Sequence, residues 1–349
     1  RAHRLRSSFL PGADSSISDR LTDLEMGSPL DLTPESGAVL ERGRPYLIPL
    51  LETVDLPATV RGRTNPRSST GRLDIFTRVI TDHGIRFDEV PKGYRGRLWL
   101  EVYSNSFTIS VRTGIALAQL RLSTADDLMT SEDLRALHLE PGLLFQTVDG
   151  GRERVDAPMI ESGGLFISVS LQPGTPAGWQ ARPNSGLLDL SATGKYDARD
   201  FWDIVQAEEP GRLVLHPEAF YLLISREFVR IPPGVAAEMV AYDPTNGELR
   251  THYAGFFDPG FGYGPGGSLA GTRAVLEVRA HDVPFMLEDG QPVARFAYER
   301  MAAEPERLYG DTAAVSHFQQ QGIALSRQFK PPSVEMQMTF HTDTGPRRK

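Results

Sequence analysis

The sequence predicts a mainly β fold in which one module occurs twice in tandem. Three matches carry that expectation. Tyr46-Leu47 running through Val54 and Leu56 to Pro57 recurs as Tyr221-Leu222 running through Val229 and Ile231 to Pro232. Leu100-Glu101-Val102 recurs as Leu276-Glu277-Val278, and Gly114 followed by Ala118 recurs as Gly290 followed by Ala294. The separations are 175, 176 and 176 residues, and so constant a separation marks a duplication rather than chance. The 33 glycines and 26 prolines suit many short strands joined by turns.

In chain order, residues 40–60 alternate and end at Leu56-Pro57, which reads as strands and a turn. Gly71 through Trp99 is rich in Ile, Val, Phe and Thr, and Leu98–Tyr103 is a strong strand before a Ser104-Asn105-Ser106 turn. Module one spans 1–123. Capping and acidic residues from Thr124 to Leu134 predict a linker, 124–163, holding one or two short helices. Module two spans 164–305. It carries an insertion, Pro183 to Pro210, in which Asp197-Ala-Arg-Asp-Phe-Trp-Asp-Ile-Val reads as helical. Residues 306–349 form a polar tail whose last stretch, from Pro331, is expected to be disordered.

Composition excludes several functions. With 40% hydrophobic and 23% charged residues the chain is a globular protein, and 349 residues suffice for two ordinary cores. A net charge of −8 gives no reason to expect nucleic acid or a membrane surface as partner, although a local Arg cluster can still hold an anion. The absence of cysteine removes disulfides, thiol catalysis and thiolate metal sites. The eight histidines never fall at i, i+4 spacing, so no zinc site is expected. No apolar run approaches the ~18 residues of a membrane span. The start, Arg1-Ala-His-Arg-Leu-Arg, is basic without an apolar core behind it and reads as a truncated start rather than a targeting segment. Cytoplasm is the default location.

Three segments could do chemistry. In Asn65-Pro66-Arg67-Ser68-Ser69-Thr70-Gly71-Arg72 two guanidinium groups bracket two hydroxyls in a tight turn, which suits phosphate oxygens; the same composition also makes a solvated basic turn. His252 through Gly262 places an Asp258-Pro259-Gly260 turn among aromatics, a hairpin with a floor for a flat ring. A carboxylate on the strand that follows, Glu277, is a candidate general base if it sits in a closed pocket, and otherwise an exposed strand residue. The tail, with Tyr309, Gln320, Gln321 and Ser326-Arg327, is donor-rich and poor in apolar residues, so it reads as a lid over an anionic ligand or as a free terminus.

Taken in order, these motifs resemble the dCTP deaminases of the trimeric dUTPase-like superfamily. That pattern is an Arg-Ser-Ser-x-x-Arg motif, an Ala-(x)3-Asp-Pro-Gly-[Trp/Phe] hairpin, a strand Leu-Glu, and a tail with Tyr and Gln-Gln-Gly-x-x-x-Ser-Arg. Arg67, Ser68, Ser69 and Arg72 match the first. Ala254, Asp258, Pro259, Gly260 and Phe261 match the second, Glu277 the third, and Tyr309, Gln320, Gln321, Gly322, Ser326 and Arg327 the tail. The chain looks like the tandem-module bacterial form, over residues 40–330. The resemblance implies two β-barrel or jelly-roll modules with a few short helices, and zinc-independent deamination of dCTP to dUTP and ammonia. It further implies dCTP and dUTP as ligands, Mg²⁺ arriving with the triphosphate, and a homo-oligomer with sites between modules.

It also assigns roles. Glu277, Ser68, Arg72 and backbone at Ala254 are implied to be catalytic, with Glu101 a second candidate base. Arg67, Ser69, Asp258, Phe261, Tyr309, Gln320 and Gln321 are implied to bind nucleotide. Two departures stand out. Module two reads Tyr242-Asp243-Pro244-Thr245-Asn246-Gly247 where the Arg-Ser-Ser motif belongs, and module one reads Arg86 through Tyr94 where the hairpin belongs. The usual tail Lys is Ser316. Each module thus keeps the half that the other lacks. The alternatives are a dUTP pyrophosphatase or bifunctional enzyme giving dUMP, and a non-catalytic nucleotide-binding regulator.

Overall fold

The computed structural model describes residues 1–125, 127–241, 249–251, 255–280, 282–311 and 323–331. The fold class is the expected one, mainly β. The chain divides into two compact units. Unit one gathers Arg1–Asp126, Arg182–Phe201 and Ser326–Lys330; unit two holds the rest of the described chain.

The duplication reappears as an identical strand register. In unit one the strand Pro45–Asp55 runs antiparallel to Arg95–Ser104 with Tyr46 opposite Val102, Leu47 opposite Glu101 and Ile48 opposite Leu100. In unit two Phe220–Val229 runs antiparallel to Thr272–Ala280 with Tyr221 opposite Val278, Leu222 opposite Glu277 and Leu223 opposite Leu276. Both pairs break register once, between Pro49 and Thr53 and between Ile224 and Phe228. The bulge bends each strand at the same place. Each pair is pinned at its start by a buried tyrosine: the Glu41 amide donates to the Tyr46 hydroxyl and the His216 amide to the Tyr221 hydroxyl, both at 3.1 Å. Every partner side chain keeps its face, because a one-residue slip would turn the buried set outward.

Around this pair unit one adds Ile75–Ile80 and the short His3–Arg4 strand in one sheet. Arg61–Pro66 pairs Ala118–Ser123 in a second. The N-terminal segment is part of this core. Leu5 and Ile17 are fully buried against Leu47 and Ile80, and the helix Ile17–Leu24 is closed by a Ser16–Asp19 capping box. Asp88 ties the two sheets together. Its carboxylate accepts from the Thr64 hydroxyl at 2.7 Å and from the Val79 amide at 2.9 Å, while its backbone bonds the same two residues. Unit two is larger. A seven-stranded sheet built around Phe220–Val229 shares one core, Tyr221, Leu223, Leu276, Val278, Phe296 and Tyr298 included, with strands such as Pro292–Arg300 of a five-stranded sheet.

Several expectations need correction. The stretch 124–163 is not a linker throughout. It holds one helix, Ser131–Leu139, capped by Thr130 and Asp133. The strand Leu144–Val148 then joins the large sheet beside Val229 and Phe228, and Ile160–Glu161 pairs Gly164–Ser168. The local signal was Asp149-Gly150: both have positive φ, 48° and 80°, as a two-residue hairpin turn requires. The predicted helix at 197–205 is a single 3-10 turn, Ala198–Asp200, after which Trp202–Gln206 pairs with Pro176–Ala181. The Trp-x-Ile-Val pattern favours a half-buried strand over a helix.

The insertion also folds with unit one. Leu188–Asp189 pairs in parallel with Ile109 and Ser110. Finally, part of the tail belongs to the packed structure. Ile323, Ser326, Gln328 and Phe329 are buried, the Trp179 indole donates to the Ile323 carbonyl at 3.2 Å, and Phe329 packs edge-on to Phe201. Residues 332–349 lie outside the described residues, as does Ser316. Among the described residues no helix is long and apolar enough to cross a membrane.

Two outcomes follow. Phe329→Ala should cost about 3 kcal/mol, since it empties an aromatic cluster. Thermal unfolding without nucleotide should show a fall of roughly 6 °C or more; an unchanged transition would return the tail to the role of a lid alone. The second concerns Asp88, whose carboxyl burial pushes up from 3.8 to about 6 despite the bonds from Val79 and Thr64. A raised carboxyl contributes stability below its unfolded value and loses it as pH climbs through about 6. Asp88→Asn cannot ionise and tolerates the positive φ of 61°. It should therefore gain on wild type between pH 4 and 7, by up to ~2–3 kcal/mol in urea unfolding. A pH-independent difference would show that the buried carboxyl carries no strain.

Candidate active site

Arg67 stands where the strand Arg61–Pro66 gives way to one helical turn, Ser68–Gly71. Its amide donates to the Leu117 carbonyl at 3.0 Å, and its own carbonyl accepts from Thr70 and Gly71. The tail reaches this turn within unit one: the Ser326 hydroxyl donates to the Ser69 carbonyl at 2.6 Å. Beside it opens a cleft of about 540 Å³, lined by Thr33, Arg67, Arg112, Gly114, Ser191 and Arg327 among others, with Glu35 as its one carboxylate. The cleft thus joins Arg67 of the loop to Arg327 of the tail. It does not include Ser68, Ser69 or Arg72; Ser68 is exposed and Arg72 is buried at 8% exposure. Arg112 and Ser191 were missed from the sequence.

Glu101, the second candidate base, is 1% exposed and already engaged. Arg78, directly opposite on the neighbouring strand, donates from Nε to Glu101 Oε1 at 3.0 Å, and a second guanidinium nitrogen reaches the same oxygen. Arg78 also lies over the Phe87 ring, 4.2 Å from its centre, and bonds Ser8 of the N-terminal segment at 3.0 Å. This carboxylate is an ion-pair anchor.

Glu277 occupies the same register position in unit two and is 6% exposed. The unit also carries the hairpin. Phe256–Phe257 pairs with Glu238 and Ala237, and the Phe261 amide then closes on the Asp258 carbonyl at 3.1 Å. Gly260, at φ +98°, is the residue that lets this turn close. A Cβ there would lie 2.7 Å from the Tyr309 amide nitrogen, so the tail segment at Tyr309 sits directly on the glycine. The Tyr309 amide donates to the Pro259 carbonyl at 2.8 Å.

Asp258 points outward and is exposed. Phe261 is instead a core residue, 8% exposed, 4.9 Å from the Phe257 ring centre and 5.6 Å from that of Tyr309. It supports the hairpin from beneath. Ala254, Gln320 and Gln321 lie outside the described residues, as does the Tyr242–Gly247 segment.

Unit one holds the same hairpin, which its sequence concealed. Glu89–Val90 pairs Arg63 and Gly62 as Phe256–Phe257 pairs Glu238 and Ala237. Tyr94 closes on Pro91 at 3.1 Å with Gly93 at φ +69°, and the Leu56 amide donates to Tyr94 as the Ile231 amide donates to Phe261. Pro91 therefore stands where unit two has Asp258. The scaffold survives in unit one while its carboxylates are substituted or locked.

Comparison with known proteins identifies the family. Residues 1–126 match the model of the 2'-deoxycytidine 5'-triphosphate deaminase (DCD) N-terminal domain, and residues 130–329 that of the DCD C-terminal domain. Proteins named "dCTP deaminase, dUMP-forming" from Beutenbergia cavernae and Leifsonia xyli are 29% and 30% identical over 134 and 137 residues. Each alignment covers 38% of this chain and 66% or 62% of the relative, so the chain spans about two thirds of their length. The crystal structure of 2'-deoxycytidine 5'-triphosphate deaminase from Agrobacterium tumefaciens is 42% identical, with a TM-score of 0.80 over 89% of this chain and 86% of that one. Matched across both its halves by the family's own domain models, the chain belongs to the dCTP deaminase family of hydrolytic enzymes.

Proposed function

We propose that the chain deaminates dCTP hydrolytically, giving dUTP and ammonia. The observation that carries this is the pair of equivalent glutamates. Both are buried at one register position, but Glu101 is held by Arg78, whereas Glu277 lies in the unit that keeps the Asp258 hairpin under Tyr309. Glu277 takes a proton from a water that attacks cytosine C4, then returns protons to the ring nitrogen and the departing ammonia. Backbone at Ala254 orients the water, and Asp258 meets base or sugar. Arg67, Ser68, Ser69 and Arg72 hold phosphate and developing charge, and Tyr309, Gln320 and Gln321 close over the nucleotide. Mg²⁺ comes with the triphosphate, as part of the substrate. The zinc deaminases use a Cys-bearing metal set that a cysteine-free chain cannot supply.

The Arg-Ser-Ser motif belongs to one module and the hairpin carboxylate to the other. A full set of groups therefore draws on both kinds of module, from one chain or from two in a homo-oligomer. Mixing Arg72→Ala with Glu277→Gln chains under subunit exchange tests this: partial recovery of activity supports sharing between chains.

A second reading, release of dUMP, is favoured by the names of the Beutenbergia and Leifsonia relatives. Incubation with dCTP, resolving ammonia, dUTP and dUMP, separates the two. Ammonia with dUTP supports the first, ammonia with dUMP the second, and no turnover leaves a nucleotide-binding regulator.

Glu277→Gln should lower kcat about 10²–10⁴-fold while nucleotide still raises the melting temperature. Glu101→Gln should keep activity within a few fold but lose roughly 1–3 kcal/mol, because Arg78 is left without its partner and is one-third exposed. The reverse pattern would make Glu101 the base. A strong chelator should slow turnover only through the nucleotide's Mg²⁺, and excess Mg²⁺ should restore the full rate; activity that needs stoichiometric zinc would overturn the mechanism.

A further inference from the structure

The large sheet of unit two has two faces, and only one belongs to the main core. Tyr221, Leu223, Leu276 and Val278 point into that core. Side chains alternate along a strand, so Leu222 and Glu277, which stand opposite one another, point the other way. Trp179 joins them. It stands opposite Leu222 on the strand Pro176–Ala181, as Glu277 does on the strand Thr272–Ala280. Trp179, Leu222 and Glu277 thus form one row across three strands. Neighbouring strands lie about 4.8 Å apart, so the indole and the carboxylate rise from backbones about 10 Å apart.

This second face is covered: Trp179, Leu222 and Glu277 are 2%, 0% and 6% exposed. The tail supplies part of the cover. The Trp179 indole N–H donates to the Ile323 carbonyl at 3.2 Å, a contact between residues 144 apart in the chain, and Ile323 is itself buried. Trp179 is set firmly enough to act as an anchor. A Cβ on Gly178 would lie 2.1 Å from the Leu222 carbonyl oxygen, so its strand approaches Leu222 as closely as only glycine allows. Unit one closes the equivalent row by other means. His3, Leu47 and Glu101 are aligned as Trp179, Leu222 and Glu277 are. There Arg78 neutralises the carboxylate, and the His3 ring bonds Glu25 at 2.8 Å. Unit two closes its row through a backbone carbonyl instead of a charge.

We propose that Trp179 is a positioning residue for deamination: its indole N–H clasps the tail at Ile323 and keeps the face that bears Glu277 dry. The link to deamination rests on the reading above; the clasp itself does not. Excluding bulk water strengthens every electrostatic interaction a general base makes with the water it activates.

The test uses the full chain. Trp179→Phe keeps a ring and removes the N–H. Trp202→Phe is the control, because Trp202 is as deeply buried on the same sheet and loses the same ring volume. Hydrogen exchange read by mass spectrometry, without nucleotide, should quicken about 2–10-fold across residues 323–330 in Trp179→Phe, as loss of one net hydrogen bond implies. Trp202→Phe should stay near wild type there. In dCTP kinetics Trp179→Phe should lower kcat by a similar factor with KM little changed, whereas Trp202→Phe should keep both. Trp179→His, which restores a ring N–H, should recover part of each effect. Wild-type exchange over 323–330 in Trp179→Phe, or a kcat loss no larger than that of Trp202→Phe, would overturn the proposal. If the wild type turns over no dCTP while the exchange difference persists, the clasp stands and the deaminase reading falls.

Discussion

The structure depends on one constraint applied twice: a long antiparallel strand pair with a single bulge at a fixed position. Tyr46 and Tyr221 start the two pairs from the same hydrogen bond, and the bulges at Pro49–Thr53 and Ile224–Phe228 end them in the same way. Because strand side chains alternate, that register leaves no freedom about which residue faces inward. It places a glutamate opposite a buried leucine in each unit, at 1% and 6% exposure. A carboxylate in that position is kept from water, so it must be neutralised by a neighbour or put to chemical use.

In unit one the neutralising group is Arg78, and the N-terminal segment adds Leu5 and Ile17 to the core and Ser8 to the arginine. The hairpin keeps its turn but carries Pro91 where the other carries Asp258. In unit two the turn is met by Tyr309 through a backbone bond that needs Gly260 to have no side chain. The scaffold is shared to within a hydrogen bond, and the units differ in side chains, with Arg78 paired to Glu101 and Pro91 standing where the other unit has Asp258. A duplicated fold can thus vary its chemistry without changing its backbone.

The parts legible in the sequence were those fixed by spacing. The repeat, the Asp258-Pro259-Gly260 turn and the Arg67–Arg72 segment each need particular residues at particular separations, and those survive in one-dimensional form. The parts that escaped depend on partners far away in the chain. Arg78 is unremarkable until Glu101 stands across from it. Pro91-Lys92-Gly93-Tyr94 reads as a loop until its bonds to Leu56 show the turn. The tail looked too polar for a core because its few apolar residues, Ile323 and Phe329, are spread among polar ones that are also buried and hydrogen-bonded. Trp202 through Gln206 follows its own β-prone pattern in pairing with Pro176–Ala181, and the helix signal belonged only to the Asp197 cap and the single turn before it.

Unit one is assembled from three stretches of chain, the last being Ser326–Lys330. This has a consequence for biogenesis. On the ribosome the first 126 residues emerge early, but the parallel strand at Leu188–Asp189 and the aromatic plug at Phe329 emerge only later, the plug after all of Trp202–Leu325. The N-terminal half must wait, with an open strand edge at Ile109–Val111 and an unfilled hollow beside Phe107 and Phe201, while the second unit is being made. Such exposed edges invite pairing with other nascent chains. The order of synthesis is thus the reverse of the order of completion: the unit that begins first is the last to close.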